Sequence, residues 1–271
     1  MPRNNDPGDW ESRYRAELKK NPGSVGLLME GDSWFSFPNL LRTNIYLALD
    51  LINGPKAAIW SLAHSGDTAH EIAFGDQFEL LSKLFRKKNL PIDGFLFSAG
   101  GNDIVGNNLL SILNEYRGGM TWRECIDESY LAAKLEDIRS AYERIIGLRD
   151  ESRPQMPIFT HSYDFAFPSG DEVRLLWLPI AGGWVKEKFE ARGIVDAKIQ
   201  RSILTCLLEE FAALIESLAS KNPRFIHVQT QGTLTKDEWG DELHPTMSGY
   251  KKIAAKFQAA LHKEFPTLPS A

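Results

Sequence analysis

A serine and a histidine lie about two hundred residues apart, each in a setting that suits catalysis. Ser33 follows Gly31 and Asp32 directly after a short apolar run, and His244 comes three residues after Asp241. A serine hydroxyl is a weak nucleophile until a base removes its proton, and a histidine base works best when an acceptor fixes its tautomer. The short spacing lets the Asp241 carboxylate reach one imidazole nitrogen within a single turn. These residues predict a catalytic triad in the chain order Ser33, Asp241, His244.

Two glycine-containing turns follow later apolar runs. The first contains Gly66, and the second contains Asn102 next to Asp103. Acyl transfer requires hydrogen-bond donors aimed at the carbonyl oxygen that becomes negatively charged. Glycine lets a backbone N–H approach closely, and asparagine provides a side-chain amide donor. Gly66 and Asn102 are therefore candidate donors, and the carboxylates of Asp32 and Asp103 are expected to fix the loops by accepting hydrogen bonds.

Short apolar runs alternate with longer amphipathic segments along most of the chain. This alternation predicts a parallel sheet built from βαβ units. The expected strands are 25–29, 57–62, 94–98, 157–161 and 224–228, and the expected helices are 10–19, 75–89, 124–149, 197–220 and 246–262. We expect a flavodoxin-like three-layer α/β/α sandwich with a five-stranded parallel sheet in the order 2-1-3-4-5. In that order, the loops after the first and third strands flank the crevice at the carboxyl edge, which would bring Ser33 and Asn102 together.

The same patterns predict the domain organisation. We expect a polar N-terminal arm over residues 1–24 and a single domain over residues 25–265. The aromatic and glycine-rich stretch 163–193 interrupts the alternation between the fourth strand and the long helix. Long loops in compact domains are often functional, so this stretch is a candidate lid or pocket insertion. The aromatic residues that we expect to line a pocket are Trp34, Phe165, Trp177 and Trp184.

Taken together, the motifs resemble those of the SGNH or GDSL-type hydrolases, a superfamily of serine esterases and lipases. The matching motifs are Gly31-Asp32-Ser33, Ser65-Gly66-Asp67-Thr68, Gly100-x-Asn102-Asp103 and Asp241-x-x-His244. They occur in the family's order and extend over most of the chain. Two positions depart from the family pattern: Trp34 replaces the usual leucine, and Ser61 stands where many members carry an asparagine.

The resemblance implies specific roles for the motif residues. Ser33 would be the nucleophile, His244 would act first as general base and then as general acid, and Asp241 would orient His244. The backbone N–H groups of Ser33 and Gly66, together with the Asn102 side chain, would form the oxyanion hole. The implied activity is hydrolysis of carboxylic esters or thioesters through an acyl-enzyme.

Two other functions stay open from the residues alone. Gly-Asp and Gly-Asn-Asp loops also occur around the two-metal sites of phosphoesterases. A hydrolase scaffold can also act as a catalytically silent binding module. A helical zinc site needs a second histidine four residues after the first, and His70 has no such partner. We therefore expect neither a metal ion nor a cofactor.

The composition limits which binding partners and which cellular location we expect. The chain has 31 lysines and arginines against 36 acidic residues, a net charge of -5, so electrostatics give no reason to expect nucleic acid or an anionic membrane as partner. Its two cysteines fall within helix-like patterns, which favours a reduced compartment. We see no signal peptide and no apolar run of the ~20 residues that a membrane span needs. We expect a cytoplasmic protein with a small acyl ester substrate, whose identity stays open, as does the oligomeric state.

Overall fold

Most of the strands lie in one parallel sheet. The computed structural model describes residues 7–37, 44–106, 108–171, 173–175, 178–181 and 184–271. The sheet in this part of the chain consists of β1 (Val25–Gly31), β2 (Ala57–Ser61), β3 (Gly94–Ser98), β4 (Ile158–His161) and β7 (Phe225–Val228). A separate antiparallel pair is formed by β5 (Val173–Leu175) and β6 (Leu178–Ala181). The sheet order is β2-β1-β3-β4-β7, so the predicted order 2-1-3-4-5 is confirmed.

The helices flank this sheet on both sides, which confirms the three-layer prediction. They are α1 (Pro7–Lys20), α2 (Ser33–Ser36), α3 (Ile45–Asn53), α4 (Ala69–Phe74), α5 (Asp76–Arg86), α6 (Gly101–Ile104), α7 (Leu109–Ile112), α8 (Glu128–Ser152), α9 (Lys186–Ala191), α10 (Ala197–Lys221) and α11 (Met247–Glu264). One group packs α3 against α11, and the other packs α8 against α4, α5 and α10. In the described parts of the chain, we find no helix that combines the length and apolarity needed to cross a membrane.

The central strands are apolar because helices cover both of their faces. Every residue of β1 and of β3 is buried, as expected for the interior of a parallel sheet. At the carboxyl end of the sheet, Gly31 pairs with Ser98 across β1 and β3. A Cβ atom on Gly31 would overlap the Ser98 carbonyl oxygen, and the φ angle of Gly31 is +152°. Only glycine fits this close approach, and the chain leaves the sheet there with Asp32 and Ser33 next in line.

The long helix α10 supports the second loop of the predicted site. Its start is fixed by Asp196, whose carboxylate accepts hydrogen bonds from the backbone N–H groups of Lys198 and Ile199 at 2.7 and 3.1 Å. The predicted helix 197–220 is therefore confirmed. The buried Phe211 ring lies against Gly100, where the φ angle is +104° and a Cβ atom would collide with the ring. The core packing of α10 thus sets the backbone position two residues before Asn102.

The predicted N-terminal arm contains α1, which packs against the sheet. The Tyr14 hydroxyl donates a 2.6 Å hydrogen bond to the carbonyl of Pro91, and its ring lies 5.7 Å from that of Trp60 on β2. The arm is thereby held to an edge strand of the protein's own sheet. The division of the chain after residue 24 stays a prediction.

The segment 163–193 contains regular structure where the sequence predicts a long loop. It carries the antiparallel pair β5–β6 and the short helix α9. Pro179 pairs with Arg174 in this two-stranded unit, which has no central strand, and proline is tolerated there because an edge strand can leave one N–H position unpaired. The proline and the glycine-rich flanks hide the strand pattern from sequence reasoning.

Candidate active site

Ser33 lies at the point where β1 ends and α2 begins. Asp32 caps the short helix, because its carboxylate accepts a 3.0 Å hydrogen bond from the backbone N–H of Trp34. Ser33 is thereby the first helical residue, where the backbone N–H has no partner inside the helix. Ser33 is 8 % exposed and borders a cavity.

His244 and Asp241 lie next to Ser33 in space, although they are far from it in the sequence. The distance from His244 Nε2 to Ser33 Oγ is 2.9 Å, and His244 Nδ1 lies 3.0 and 2.9 Å from the two oxygens of Asp241. An ionised carboxylate can only accept hydrogen bonds, so the proton is placed on Nδ1 and Nε2 is left as acceptor for the serine hydroxyl. His244 is 6 % and Asp241 is 4 % exposed, so little water competes for these bonds. The three predicted triad residues form one continuous hydrogen-bonded chain.

Trp34 joins the two distant parts of this chain. Its indole N–H donates a 3.1 Å hydrogen bond to the carbonyl of Leu243, the residue before His244. Its ring also packs edge-on against Trp239 and Tyr250 on the same side of the protein. The leucine usual in the family could not make this hydrogen bond. The Trp34 hydrogen bond therefore connects the turn that carries His244 to the helix that carries Ser33.

Gly66 and Asn102 border the same cavity as Ser33. The φ angle of Gly66 is +95°, a conformation that favours glycine. Asn102 donates one hydrogen of its side-chain amide to the carbonyl of Asp67 at 2.9 Å, which orients the amide and leaves its second hydrogen for another acceptor. Asp103 accepts a 2.8 Å hydrogen bond from the backbone N–H of Ala69 at the start of α4. The two loops are thereby connected to each other beside Ser33.

A buried network holds Asp32 beneath the site. One carboxylate oxygen of Asp32 accepts a 2.5 Å hydrogen bond from the Tyr163 hydroxyl, and the other accepts one of 2.9 Å from Ser98. Burial raises the pKa of Asp32 to about 6, and these hydrogen bonds act in the opposite direction. Asp32 thus accepts hydrogen bonds from Ser98 and Tyr163. No hydrogen bond among the described residues connects it to His244 or Asp241.

His161 continues this network away from the cavity. Burial lowers the pKa of His161 to about 3, with a smaller effect from His227, so the imidazole is neutral. Its Nδ1 accepts a 3.2 Å hydrogen bond from the backbone N–H of Tyr163, so Nε2 carries the proton and donates to Ser98 at 2.8 Å. Ser98 in turn donates to Asp32. His161 orients the loop beneath Ser33 and does not line the cavity.

The cavity beside Ser33 has a volume of about 290 Å³. Its wall is largely apolar and contains two tryptophans besides Trp34. No lysine or arginine is among the described lining residues. The lining consists of Asp32, Ser33, Trp34, Phe37, Ser65, Gly66, Gly101, Asn102, Val105, Tyr163, Asp164, Ala166, Trp184, Leu208, Trp239, Leu243 and His244. Such a wall suits an uncharged, apolar ligand.

Of the four aromatic residues predicted to line a pocket, two border the cavity. Trp34 and Trp184 border the cavity, and the Trp184 ring lies edge-on to His244 with centroids 6.1 Å apart. Phe165 does not border it, although its neighbours Asp164 and Ala166 do. Phe165 packs against the core instead. Trp177 lies outside the described residues.

Several lining residues were not predicted from the sequence, and three of them are Leu208, Trp239 and Leu243. Leu208 belongs to the helix α10. Leu243 belongs to the turn that carries His244, and Trp239 lies two residues before Asp241. Their proximity to the triad in the sequence would have been a usable signal for Trp239 and Leu243. Leu208 had no such signal, because its place in the apolar pattern of α10 is that of an ordinary core residue.

Metal-ligating side chains are not grouped in the described residues. No group of three or more histidine, cysteine, aspartate or glutamate side chains there could hold a metal ion. His64 is exposed, and its Nδ1 lies 3.3 Å from Oδ1 of Asp67. His64 does not line the cavity.

Glu30 is a buried carboxyl group close to this site. Its Oε1 accepts a 2.9 Å hydrogen bond from the backbone N–H of Gly31, and its Oε2 has no partner among the described residues. Burial raises the pKa of Glu30 to about 8, the Gly31 hydrogen bond lowers it, and nearby Asp67 adds to the rise. Between pH 4.5 and 8 the unfolded chain loses this proton while the folded protein keeps it. The free energy of unfolding should therefore decrease as the pH rises through this window.

We expect Glu30→Gln to remove this pH dependence. Glutamine keeps the acceptor for Gly31 and cannot ionise, so the variant should match the parent near pH 5 and exceed its stability near pH 8 by about 2–5 kcal/mol. Urea unfolding at pH 5, 6, 7 and 8 measures the difference. Glu143→Gln, at an exposed position on α8, is the matched control and should leave the slope unchanged. Parallel stability curves for Glu30→Gln and the parent would contradict the assigned pKa.

Comparison with known proteins agrees with this architecture. No protein-family model and no curated protein matches the chain. Among solved structures, it is similar to a candidate GDSL-like lipase from Bacteroides ovatus (14 % identity, TM-score 0.54, 93 % of this chain and 56 % of that one). It is also similar to a lipase from a goat rumen metagenome (13 %, 0.55, 88 % and 97 %) and to a candidate platelet activating factor from Streptococcus pneumonia (14 %, 0.51, 94 % and 92 %).

These similarities concern the fold. The chain spans little more than half the length of the Bacteroides ovatus protein but nearly all of the other two. The shared architecture, with its five-stranded parallel sheet in the order 2-1-3-4-5, is the SGNH/GDSL hydrolase fold. At identities of 13–14 %, substrates do not transfer from one protein to another.

Proposed function

We propose that this chain is a serine hydrolase that cleaves carboxylic esters or thioesters through an acyl-enzyme. The observation that carries the proposal is the hydrogen-bonded chain from Asp241 through His244 to Ser33, which ends at an apolar cavity. The geometry fits a nucleophile, a base and an orienting acceptor in their required sequence. The two structurally similar proteins described as lipases support ester hydrolysis as the general reaction.

In the first half-reaction, His244 Nε2 removes the proton from Ser33 as the serine oxygen attacks the ester carbonyl carbon. The carbonyl oxygen becomes an oxyanion, which would accept hydrogen bonds from the backbone N–H groups of Ser33 and Gly66 and from the Asn102 amide. As the tetrahedral intermediate collapses, His244 gives its proton to the leaving alcohol or thiol. The acyl group is then bonded to Ser33.

In the second half-reaction, water takes the place of the alcohol. His244 removes a proton from the water molecule, whose oxygen attacks the acyl carbon. The second oxyanion uses the same donors, and its collapse returns the proton from His244 to Ser33 as the carboxylic acid leaves. Throughout both steps, Asp241 keeps Nδ1 protonated and stabilises the imidazolium that forms.

The cavity indicates the chemical class of the substrate. A volume of about 290 Å³ is at the lower end of the range for ligand pockets. The tryptophan and leucine side chains of the lining favour an apolar group, and the described lining offers no cation for a phosphate or a carboxylate. We therefore propose short, uncharged acyl esters as the preferred substrates.

Covalent labelling tests the proposal. The parent protein should hydrolyse p-nitrophenyl acetate and butyrate, and a fluorophosphonate probe should modify it at Ser33, as located by peptide mass spectrometry. Treatment with EDTA should leave both reactions unchanged, because no step uses a metal ion. Absence of labelling and hydrolysis would favour a silent binding module, and loss of activity on chelation would favour a metal-dependent phosphoesterase.

A further inference from the structure

Glu242, between the triad residues Asp241 and His244 in the chain, has an unusual set of partners. It is fully buried, and its two carboxylate oxygens accept four hydrogen bonds from backbone N–H groups of a distant segment. Oε1 accepts from Gly170 and Lys186 at 2.9 and 3.0 Å, and Oε2 accepts from Trp184 and Val185 at 2.6 and 2.8 Å. Hydrogen bonds to an ionised group are about twice as strong as neutral ones, so this carboxylate is a strong anchor.

The four donors lie at both ends of the segment that carries β5 and β6. Gly170 precedes this pair of strands, and Trp184 to Lys186 follow it, so both ends meet at one carboxylate. Lys186 is also the first residue of α9. Glu242 therefore closes the base of the inserted hairpin and fixes the start of the helix after it.

The other end of α9 is attached to the opposite side of the site. The Lys188 ammonium donates a 2.7 Å hydrogen bond to the carbonyl of Gly106, and the Arg192 guanidinium donates to the carbonyl of Leu110 at 2.6 Å. Gly106 and Leu110 follow α6, the short helix that contains Asn102. The segment 184–192 thus bridges the turn that carries His244 and the loop that carries Asn102.

Trp184 is the part of this bridge that borders the cavity. Its backbone N–H makes the shortest of the four bonds to Glu242, and its ring lies edge-on to His244. The turn that carries His244 is held from within by Asp241, which accepts the backbone N–H groups of Leu243 and His244 at 2.8 and 2.9 Å. Glu242 connects this turn with the backbone of Trp184.

We infer that Glu242 is a positioning residue that determines substrate specificity by fixing Trp184 as the cavity wall beside His244. This inference rests on the proposed ester hydrolysis. Release of the anchor should let Trp184 move away from the bound acyl group. Recognition of longer apolar acyl chains should then weaken much more than turnover of an acetyl group, which is too short to need the wall.

Glu242→Gln tests the inference. Glutamine offers one acceptor oxygen, and its amide group would face two of the N–H donors. We expect the kcat/KM ratio of p-nitrophenyl hexanoate to the acetate to fall about tenfold, mainly through KM for the hexanoate, because the longer chain would lose the apolar contact of about two methylene groups with Trp184. Glu187→Gln, an exposed position on α9, is the matched control and should keep the parent ratio.

A second variant shows whether Glu242 acts through Trp184 or whether its replacement causes a general loss of structure. In a Trp184→Ala background the ratio should already be low, and adding Glu242→Gln should lower it no further. Equal ratios for parent and Glu242→Gln, or an equal additional drop in the Trp184→Ala background, would overturn the inference. If Glu242→Gln does not fold, Glu242→Asp replaces it, since aspartate keeps the charge and retracts the carboxylate by one methylene group.

One readout is independent of catalysis. Trypsin should cleave after Arg174, between the two ends held by Glu242, several times faster in Glu242→Gln than in the parent or in Glu187→Gln. Unchanged cleavage would overturn the anchoring role even in a protein that hydrolyses no ester. Faster cleavage in Glu242→Gln, together with a parent protein that hydrolyses no ester, would leave the anchoring role standing and refute the proposed function.

Discussion

Ser33→Ala should lower kcat for p-nitrophenyl acetate by about 10⁴-fold or more. Ser33 Oγ is the atom that His244 Nε2 can deprotonate at 2.9 Å, and it borders the cavity that would hold the substrate. Alanine keeps the backbone N–H that we assign to the oxyanion hole, together with Gly66 and Asn102. Substrate binding should therefore persist, and KM should change little while the covalent step is lost. Initial rates of p-nitrophenolate release at varied substrate concentration, with substrate in excess and more enzyme for the slow variant, give both constants.

Ser36→Ala is the matched control for this experiment. Ser36 is the last residue of the same short helix, and among the described residues its hydroxyl donates one hydrogen bond, to the carbonyl of Asp32 at 3.3 Å. Its kcat should stay within about threefold of the parent value. Thermal unfolding establishes that both variants fold. If Ser33→Ala kept more than about a tenth of the parent rate, a difference of only 1.4 kcal/mol in the barrier, another nucleophile would have to be sought.

The sheet could be predicted from the sequence because its central strands are continuous apolar runs separated by amphipathic helices. Burial on both faces leaves a strong signal in β1 and β3, and the helix α10 has a single apolar face and an N-cap at Asp196. The helix α3 was not predicted. Its residues are apolar on nearly every side, which hides the helical period, although only part of its surface is buried between α11 and β2.

The contacts among Ser33, Asp241 and His244 could be predicted because these residues follow strand ends and turns with recognisable spacing. The contacts that hold the triad in place could not. Glu242 and Asp164 each accept hydrogen bonds from several backbone N–H groups far away in the sequence. Every residue except proline carries such a donor, so the sequence contains no sign of which ones converge on a given carboxylate. The same holds for the bond from Trp34 to the carbonyl of Leu243.

Asp241→Asn should lower kcat by about 10³–10⁴-fold, although the substitution is isosteric. Asp241 Oδ1 accepts the backbone N–H groups of Leu243 and His244, so the remaining carbonyl oxygen of asparagine would keep those two bonds. The amide group would then occupy the place of Oδ2 and donate to His244 Nδ1. With Nδ1 as acceptor, the neutral imidazole carries its proton on Nε2 and cannot take one from Ser33. The loss is a consequence of the wrong tautomer in an intact turn.

The kinetic pattern distinguishes this cause from damage to the cavity. Asp241 does not border the cavity, so KM for p-nitrophenyl acetate should stay near the parent value, while the rate of fluorophosphonate labelling at Ser33 should fall in parallel with kcat. Asp237→Asn is the matched control, because Asp237 is exposed in the same region and accepts only the Thr235 hydroxyl among the described residues. A decrease of less than tenfold in Asp241→Asn would mean that Asp241 does not set the tautomer. A large rise in KM would instead assign Asp241 to the structure of the binding site, since a tautomer change acts on the base and leaves the apolar walls in place.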